Sequence, residues 1–308
     1  MDRLCHHRIL FIRIVPWACI RNVYYDSQTC VCLKIKMKKI LPIVAMLIAS
    51  SRSTASFDWT QRPPLPLAQC KIHSPYGWAT SATKLQPICR QGYFVAYDPT
   101  VKIPSYVMYT LTPPQALGCV ERTNAFAEDQ SIQNGPRPDD YDGTGYDRGH
   151  MSPDGDLSWD QQVEYESFLM TNMTPQAGSL NRGIWKLLET SVRGWAVQRN
   201  QSFTITSGSL YAATNPRIGN GVVVPHGYYK IVVNNQTKEV AAWAFPHVAP
   251  YPNLGNDLTK FRMPVAQLQQ QAKIKFAMPP GFKELAPGAE WIVDFGALTN
   301  AKRAKCSR

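Results

Sequence analysis

Apolar and aromatic residues alternate with polar ones, or run together in short β-branched blocks, at residues 92–97 and 106–111. These are the patterns of half-buried and fully buried strands. The same signal returns at 168–173, 203–208, 221–224, 228–234, 239–245 and 291–295. Four of these segments follow one another between 203 and 245, so pairing of sequence neighbours is expected there. From 181 to about 199 the period changes, and Ile184, Leu187, Leu188, Val192 and Trp195 supply one apolar helix face. Shorter helices are predicted at 160–166 and 265–273, the second with Pro264 suited to its first turn. Residues 57–88 and 128–146 read as irregular, punctuated by Pro63, Pro64 and Pro66 and by Pro136, Pro138 and Gly143. Without an internal repeat or a dividing linker, the pattern predicts one α+β domain, with a mostly antiparallel central sheet flanked by helices.

The first residues follow a different rule. Met37-Lys38-Lys39, an apolar run from Ile40 to Ala49, and the small residues up to Ser56 have the layout of a secretory signal peptide. The run is shorter than the about 20 residues a spanning helix needs. Residues 1–36 then read as a misassigned upstream start, 37–56 as the signal peptide, and 57–308 as the single mature domain. The expected location is secreted or periplasmic, with no stable membrane association after cleavage.

This division alters the charge. The whole chain carries +11, of which residues 1–56 hold +7, leaving the mature part at +4. A mildly basic domain tolerates a polyanion without announcing one. Four of the eight cysteines remain after the leader: Cys70, Cys89, Cys119 and Cys306. In an exported chain an even number implies two disulfides. Three pairings are open, and Cys70 with Cys89 plus Cys119 with Cys306 is favoured.

The chemistry concentrates between residues 146 and 195. Tyr146-Asp147-Arg148-Gly149-His150, Asn172-Met173-Thr174-Pro175-Gln176 and Asn181-Arg182-Gly183-Ile184-Trp185 place a histidine, amides and arginines close together in the chain. Histidine can take a proton from water near neutral pH. A divalent ion on oxygen ligands neutralises charge building on phosphorus. Arginine forks clamp phosphate oxygens. The acidic cluster at Asp139, Asp140 and Asp142 lacks the acid at the twelfth position that a calcium loop requires. His73, His226 and His247 share no metal-ligand spacing, and the chain has no H-E-x-x-H segment and no P-loop.

These three motifs, in this order, resemble the DNA/RNA non-specific endonuclease family, the ββα-metal (His-Me finger) nucleases. The resemblance runs from about Cys89 to at least Phe276 and includes Ser207 to Tyr211, Val224-Pro225 and Tyr228-Tyr229-Lys230. It implies a ββα-metal fold and hydrolysis of DNA and RNA to 5′-phosphate products. The implied cofactor is Mg²⁺, replaceable by Mn²⁺. It makes His150 the general base, Asn181 the one direct metal ligand, and Glu189 a support for the metal's water. Arg122, Arg148 and Arg193 match arginines placed near the phosphate, and Asn172 and Lys230 are candidates for substrate contact. DNA and RNA are the expected partners, and a homodimer is allowed.

The residues themselves set limits. Asn181 and Glu189 are eight positions apart, about 12 Å of rise in an unbroken helix, so Glu189 would act through water. Glu189 and Arg193 are also i,i+4 neighbours, for which a helix-surface ion pair is the plain alternative. Asn181 suits an N-cap as well as a metal. Gly149 would let the backbone beside the histidine turn tightly. Two rival functions remain: a non-catalytic nucleic-acid binder on the same scaffold, and a metal-dependent phosphodiesterase for small substrates.

Overall fold

Seven strands form the central sheet of the computed structural model, which describes residues 62–307. They are β1 (Gln86–Cys89), β2 (Phe94–Asp98), β3 (Ile103–Leu111), β6 (Phe203–Leu210), β7 (Gly227–Asn234), β8 (Glu239–Pro246) and β9 (Lys283–Glu284). A separate antiparallel pair, β4 (Tyr146–His150) and β5 (Met173–Ala177), stands outside it. The sheet order is β9-β8-β7-β6-β3-β2-β1, antiparallel except for β9 on β8. The helices are α1 (Pro113–Ala116), α2 (Asp154–Leu157), α3 (Gln161–Ser167), α4 (Lys186–Arg199), α5 (Val265–Ala272) and α6 (Phe295–Cys306).

Strand alternation sorts the core into two layers. On one face Val107, Tyr109, Ile205, Tyr228, Val232 and Trp243 meet Trp185, just before α4, and Leu188, Val192 and Trp195 within it. On the other, Tyr106, Met108, Tyr229, Ile231, Val233 and Ala242 meet α5 through Val265 and Leu268. Burying both faces explains why β7 reads as a nearly unbroken apolar run. Among the described residues, no helix is long and apolar enough to cross a membrane. The upstream start and the signal peptide lie outside the described residues.

Three expected elements take other forms. Residues 168–173 are not a strand: Phe168 ends α3, Met170–Asn172 is a 3-10 turn, and pairing begins only at Met173. Every side chain there is buried, so the apolar run reports burial rather than an extended backbone. Residues 221–224 form a two-residue strand, Val222–Val223, paired with Arg217–Ile218 outside the main sheet. Residues 291–295 are not a last strand either. Trp291 is buried while Ile292 is 92% exposed, and the Asp294 carboxylate accepts from Ala297 N to start α6. Asp is a favoured N-cap residue, and here it starts a helix where the aromatic-aliphatic run predicts a strand. The disulfides are Cys70–Cys89 and Cys119–Cys306.

Candidate active site

The β4–β5 pair and the helix after it position the motifs. His150 ends β4 opposite Met173, and Asp147 near its start lies opposite Gln176. Gly149 is in the strand, not in a tight turn: an added Cβ would lie 2.4 Å from the Gln176 side chain, so its bareness makes room for a close neighbour. After β5 the chain turns through Gly178–Leu180 into Asn181–Trp185, an overwide helical turn interrupted at Gly183 (φ −97°, ψ −119°). This turn lies along β4 and is fastened at both ends. Asn181 Nδ2 donates to Asp147 Oδ2 at 2.9 Å, and Trp185 Nε1 donates to the His150 carbonyl at 3.3 Å.

His150 is 7% exposed. Its ring stands edge-on to Phe168 at 4.9 Å and lies 5.9 Å from Phe126. Nε2 is buried with no hydrogen-bond partner. Burial, reinforced by the positive charge of Arg122, pushes the imidazole down to about 3, so it is neutral at physiological pH. Arg122 lies over the same Phe168 ring at 4.9 Å and pairs with Asp154 and with Asn124 Oδ1. Its side chain stays 43% exposed, leaving donors within reach of an incoming anion.

Asn181 is half-exposed and helical (φ −58°, ψ −49°), so it is not an N-cap. Asp147 holds its amide nitrogen and grips Arg182 with both oxygens, at 2.8 and 2.6 Å. Arg182, more than its other partner, keeps the Asp147 carboxyl below its ordinary range. The amide is thereby oriented with Nδ2 used and Oδ1 available. Asp147, which the sequence singled out only as part of a motif, is the orienter of Asn181.

The break at Gly183 removes the premise of the 12 Å separation, since Asn181 and Glu189 do not share one regular helix. Glu189 is buried, its Oε1 has no partner, and burial raises its carboxyl against the opposing pull of Lys230 and Arg193. The i,i+4 ion pair with Arg193 is not formed. Arg193 instead donates to Asp156 Oδ1 at 2.5 Å and to Thr190 Oγ1 at 3.0 Å. Asp156, wholly buried, also accepts from Tyr109 at 2.7 Å. Arg193 is thus committed to a buried carboxylate rather than turned outward. Asp154 and Asp156, just after His150 in Pro153-Asp154-Gly155-Asp156, were missed; two acids so close behind a catalytic motif were the available signal.

Two candidates, Asn172 and Lys230, sit differently from expectation. Asn172 is fully buried: its Oδ1 accepts from Ser152 N, and its Nδ2 donates to the carbonyls of Ser152 and Ser167. It holds the segment after His150 and has no surface to offer a substrate. Lys230 is also fully buried, donating to Ser207 Oγ at 2.7 Å with its ammonium 4.2 Å from the Trp185 ring. Burial pulls that ammonium down, and phosphate cannot reach it. Arg148 shares the His150 side of β4, lying 5.3 Å over Phe126, and is braced by the Pro138 carbonyl and Asp142.

Among the described residues no three His, Cys, Asp or Glu side chains converge on one point. The donors on offer are the Asn181 amide oxygen and the unpartnered carboxylate oxygen of Glu189, both hard. Such a set fits a small divalent cation that keeps most of its waters.

A histidine closing the first strand of a ββ pair and an asparagine opening the next helix define the ββα-metal nuclease class. The model of the DNA/RNA non-specific endonuclease family matches residues 77–280, and the chain belongs to that family. It is 29% identical over 223 residues to the mitochondrial nuclease of Saccharomyces cerevisiae, covering 63% of this chain and 67% of that one. A nuclease of Nostoc sp. is 28% identical over 250 residues, covering 75% and 88%. Human mitochondrial endonuclease G is 26% identical over 204 residues, covering 61% and 68%. A chain in the crystal structure of the EndoG/EndoGI complex superimposes with a TM-score of 0.59 at 26% identity, covering 67% of this chain and 89% of that one. The protein is a nuclease with the mixed α+β, mostly antiparallel architecture of that structure.

Proposed function

We propose that the chain is a Mg²⁺-dependent endonuclease that hydrolyses DNA and RNA with little base preference and leaves 5′-phosphates. The observation that carries this reading is the β4 edge: a neutral buried imidazole beside an exposed arginine, with an amide oxygen aimed by Asp147 on the same strand pair. Nε2 is sealed inside, so Nδ1 is the nitrogen that meets water. It takes the proton as the water oxygen attacks phosphorus in line; the P–O3′ bond breaks, and the 3′-oxygen is protonated from solvent. Arg122, released from Asp154, holds the non-bridging oxygens as charge develops. When bound through Asn181, a divalent cation supplies positive charge opposite the phosphate and the departing oxygen. Contacts mainly to phosphate and sugar carry no base code.

Export completes the reading: a signal peptide at 37–56, a mature domain from 57, and action outside the cytosol. Two disulfides support it, since they persist in oxidising compartments. The test is cleavage of plasmid DNA and of RNA, with Mg²⁺ and with EDTA, by the wild type and by His150→Ala. The variant should fold and lose at least about a hundredfold in rate. Wild-type cleavage by His150→Ala, or cleavage indifferent to EDTA, refutes the mechanism.

A further inference from the structure

The helix α6 lies outside the residues shared with the family, 77–280. At its start, Gln198 Nε2 donates to the Asp294 carbonyl at 2.6 Å, and Asp294 N donates to Gln198 Oε1 at 3.0 Å. Gln198 is near the end of α4, so α6 begins where α4 finishes. At its far end, Cys306 is bonded to Cys119, and Lys305 Nζ donates to the Pro114 carbonyl at 2.7 Å. Pro114 belongs to α1, which also packs on α4. The helix therefore runs back along α4 for twelve residues, about 18 Å of rise. It finishes at the segment that carries Arg122, three residues beyond the disulfide.

What α6 delivers there is positive charge. Its last turns carry Lys302, Arg303 and Lys305, and its sequence contains no acid. Lys302 is half-buried; burial and Arg193 hold its ammonium below the ordinary value, while Asp154 and Asp156 oppose them. Its electrostatic neighbours are thus residues of the candidate active site. Arg303 is exposed and makes no ion pair among the described residues. The helix dipole alone would favour cations at this end. It would not require a disulfide that ties the end of the helix to Cys119, three residues before Arg122.

We propose that the C-terminal end of α6 is a second phosphate-binding element, in which Lys302 and Arg303 hold the sugar–phosphate backbone of a nucleic acid beyond the bond being cut. Lys305 is the clamp, its ammonium spent on Pro114, and Cys119–Cys306 is the staple. The inference rests on the nucleolytic reading and adds a contact that long substrates use and minimal diesters do not.

The test measures binding of a short DNA duplex to the full chain carrying His150→Ala, with and without Lys302→Gln and Arg303→Gln, across a salt series. Each lost phosphate contact should reduce the slope of log K against log salt by about 0.9. The exchange Lys302→Arg with Arg303→Lys keeps both charges and should keep the slope. In the otherwise wild-type enzyme, the variant at the exposed position, Arg303→Gln, should cleave bis(p-nitrophenyl) phosphate at the normal rate. An unchanged slope in variants with a native melting curve overturns the proposal, as does an equal loss on the small diester. A wild-type chain that fails to cut the duplex overturns the nucleolytic reading instead, and a His150→Ala chain that still cuts it overturns the role of His150, both before any slope is measured.

Discussion

The two faces of the central sheet are built from the same strands and do different work. Toward α5, the buried positions of β7 and β8 are Tyr229, Ile231, Val233, Val240 and Ala242, and none is charged. Toward α4, Tyr109, Ser207 and Lys230 interrupt the apolar layer on three neighbouring strands. They meet Glu189 and Arg193 from α4 and Asp156 from α2. One face is pure packing; the other holds two buried carboxylates and two cations beneath the candidate catalytic edge. Such ionic groups cost desolvation and are weak evidence for stability. Their place beneath the catalytic edge points to positioning, with Lys230 and Arg193 keeping a negative Glu189 tolerable beside Asn181's helix.

The sharpest way to break this contrast is one substitution on each face. Lys230→Met removes one of the two cations that oppose the burial-driven rise of the Glu189 carboxyl, so a loss of up to about 3–5 kcal/mol is expected. It should be accompanied by a fall in cleavage per folded molecule. Leu268→Ala, on the α5 face, should cost about 2–5 kcal/mol as a cavity, with cleavage per folded molecule unchanged. Urea denaturation beside plasmid cleavage decides. If both variants lose activity only in proportion to stability, the faces do not differ in function.

Acid provides a second separation. His150 is held at about 3 in the folded protein, against 6.5 as the ordinary value. The unfolded chain therefore binds the extra proton first, and stability falls as pH drops from about 6.5 toward 3, with no effect above that window. Between pH 7 and pH 5 this amounts to about 2 kcal/mol. His150→Phe should remove that component, and Leu268→Ala should retain it. Urea midpoints for His150→Phe with the full wild-type pH slope would remove the buried imidazole from the account.

The smallest expected effect concerns the orienting carboxylate. Asp147→Ala frees both Asn181 and Arg182, and should raise the Mg²⁺ concentration needed for half-maximal cleavage by at least about tenfold. The fold should persist, since the strand pairing through Asp147 is made by backbone. An unaltered metal requirement would show that Asn181 needs no such support.

Local patterns determined a good deal of this. Period-two and period-3.6 spacing placed β2, β3, β6, β7, β8 and most of α4 within a few residues, because side chains facing a core must repeat with the backbone. The order of motifs around His150 and Asn181 marked out the candidate catalytic edge, because β4, β5 and the helix after them are contiguous in the chain. Tertiary structure alone decided what was buried and what remained free. Asn172 and Lys230 are polar in sequence but spend their donors inside, and Arg193 turned from its i,i+4 neighbour to Asp156, thirty-seven residues away. Trp291 suggested a strand, yet Asp294 caps a helix that a disulfide 187 residues long in sequence carries back to Arg122. Hydrogen-bond and charge partners are chosen in three dimensions, where the low dielectric of the interior makes every unpartnered polar group costly; a linear pattern records only which residues were available for the choice.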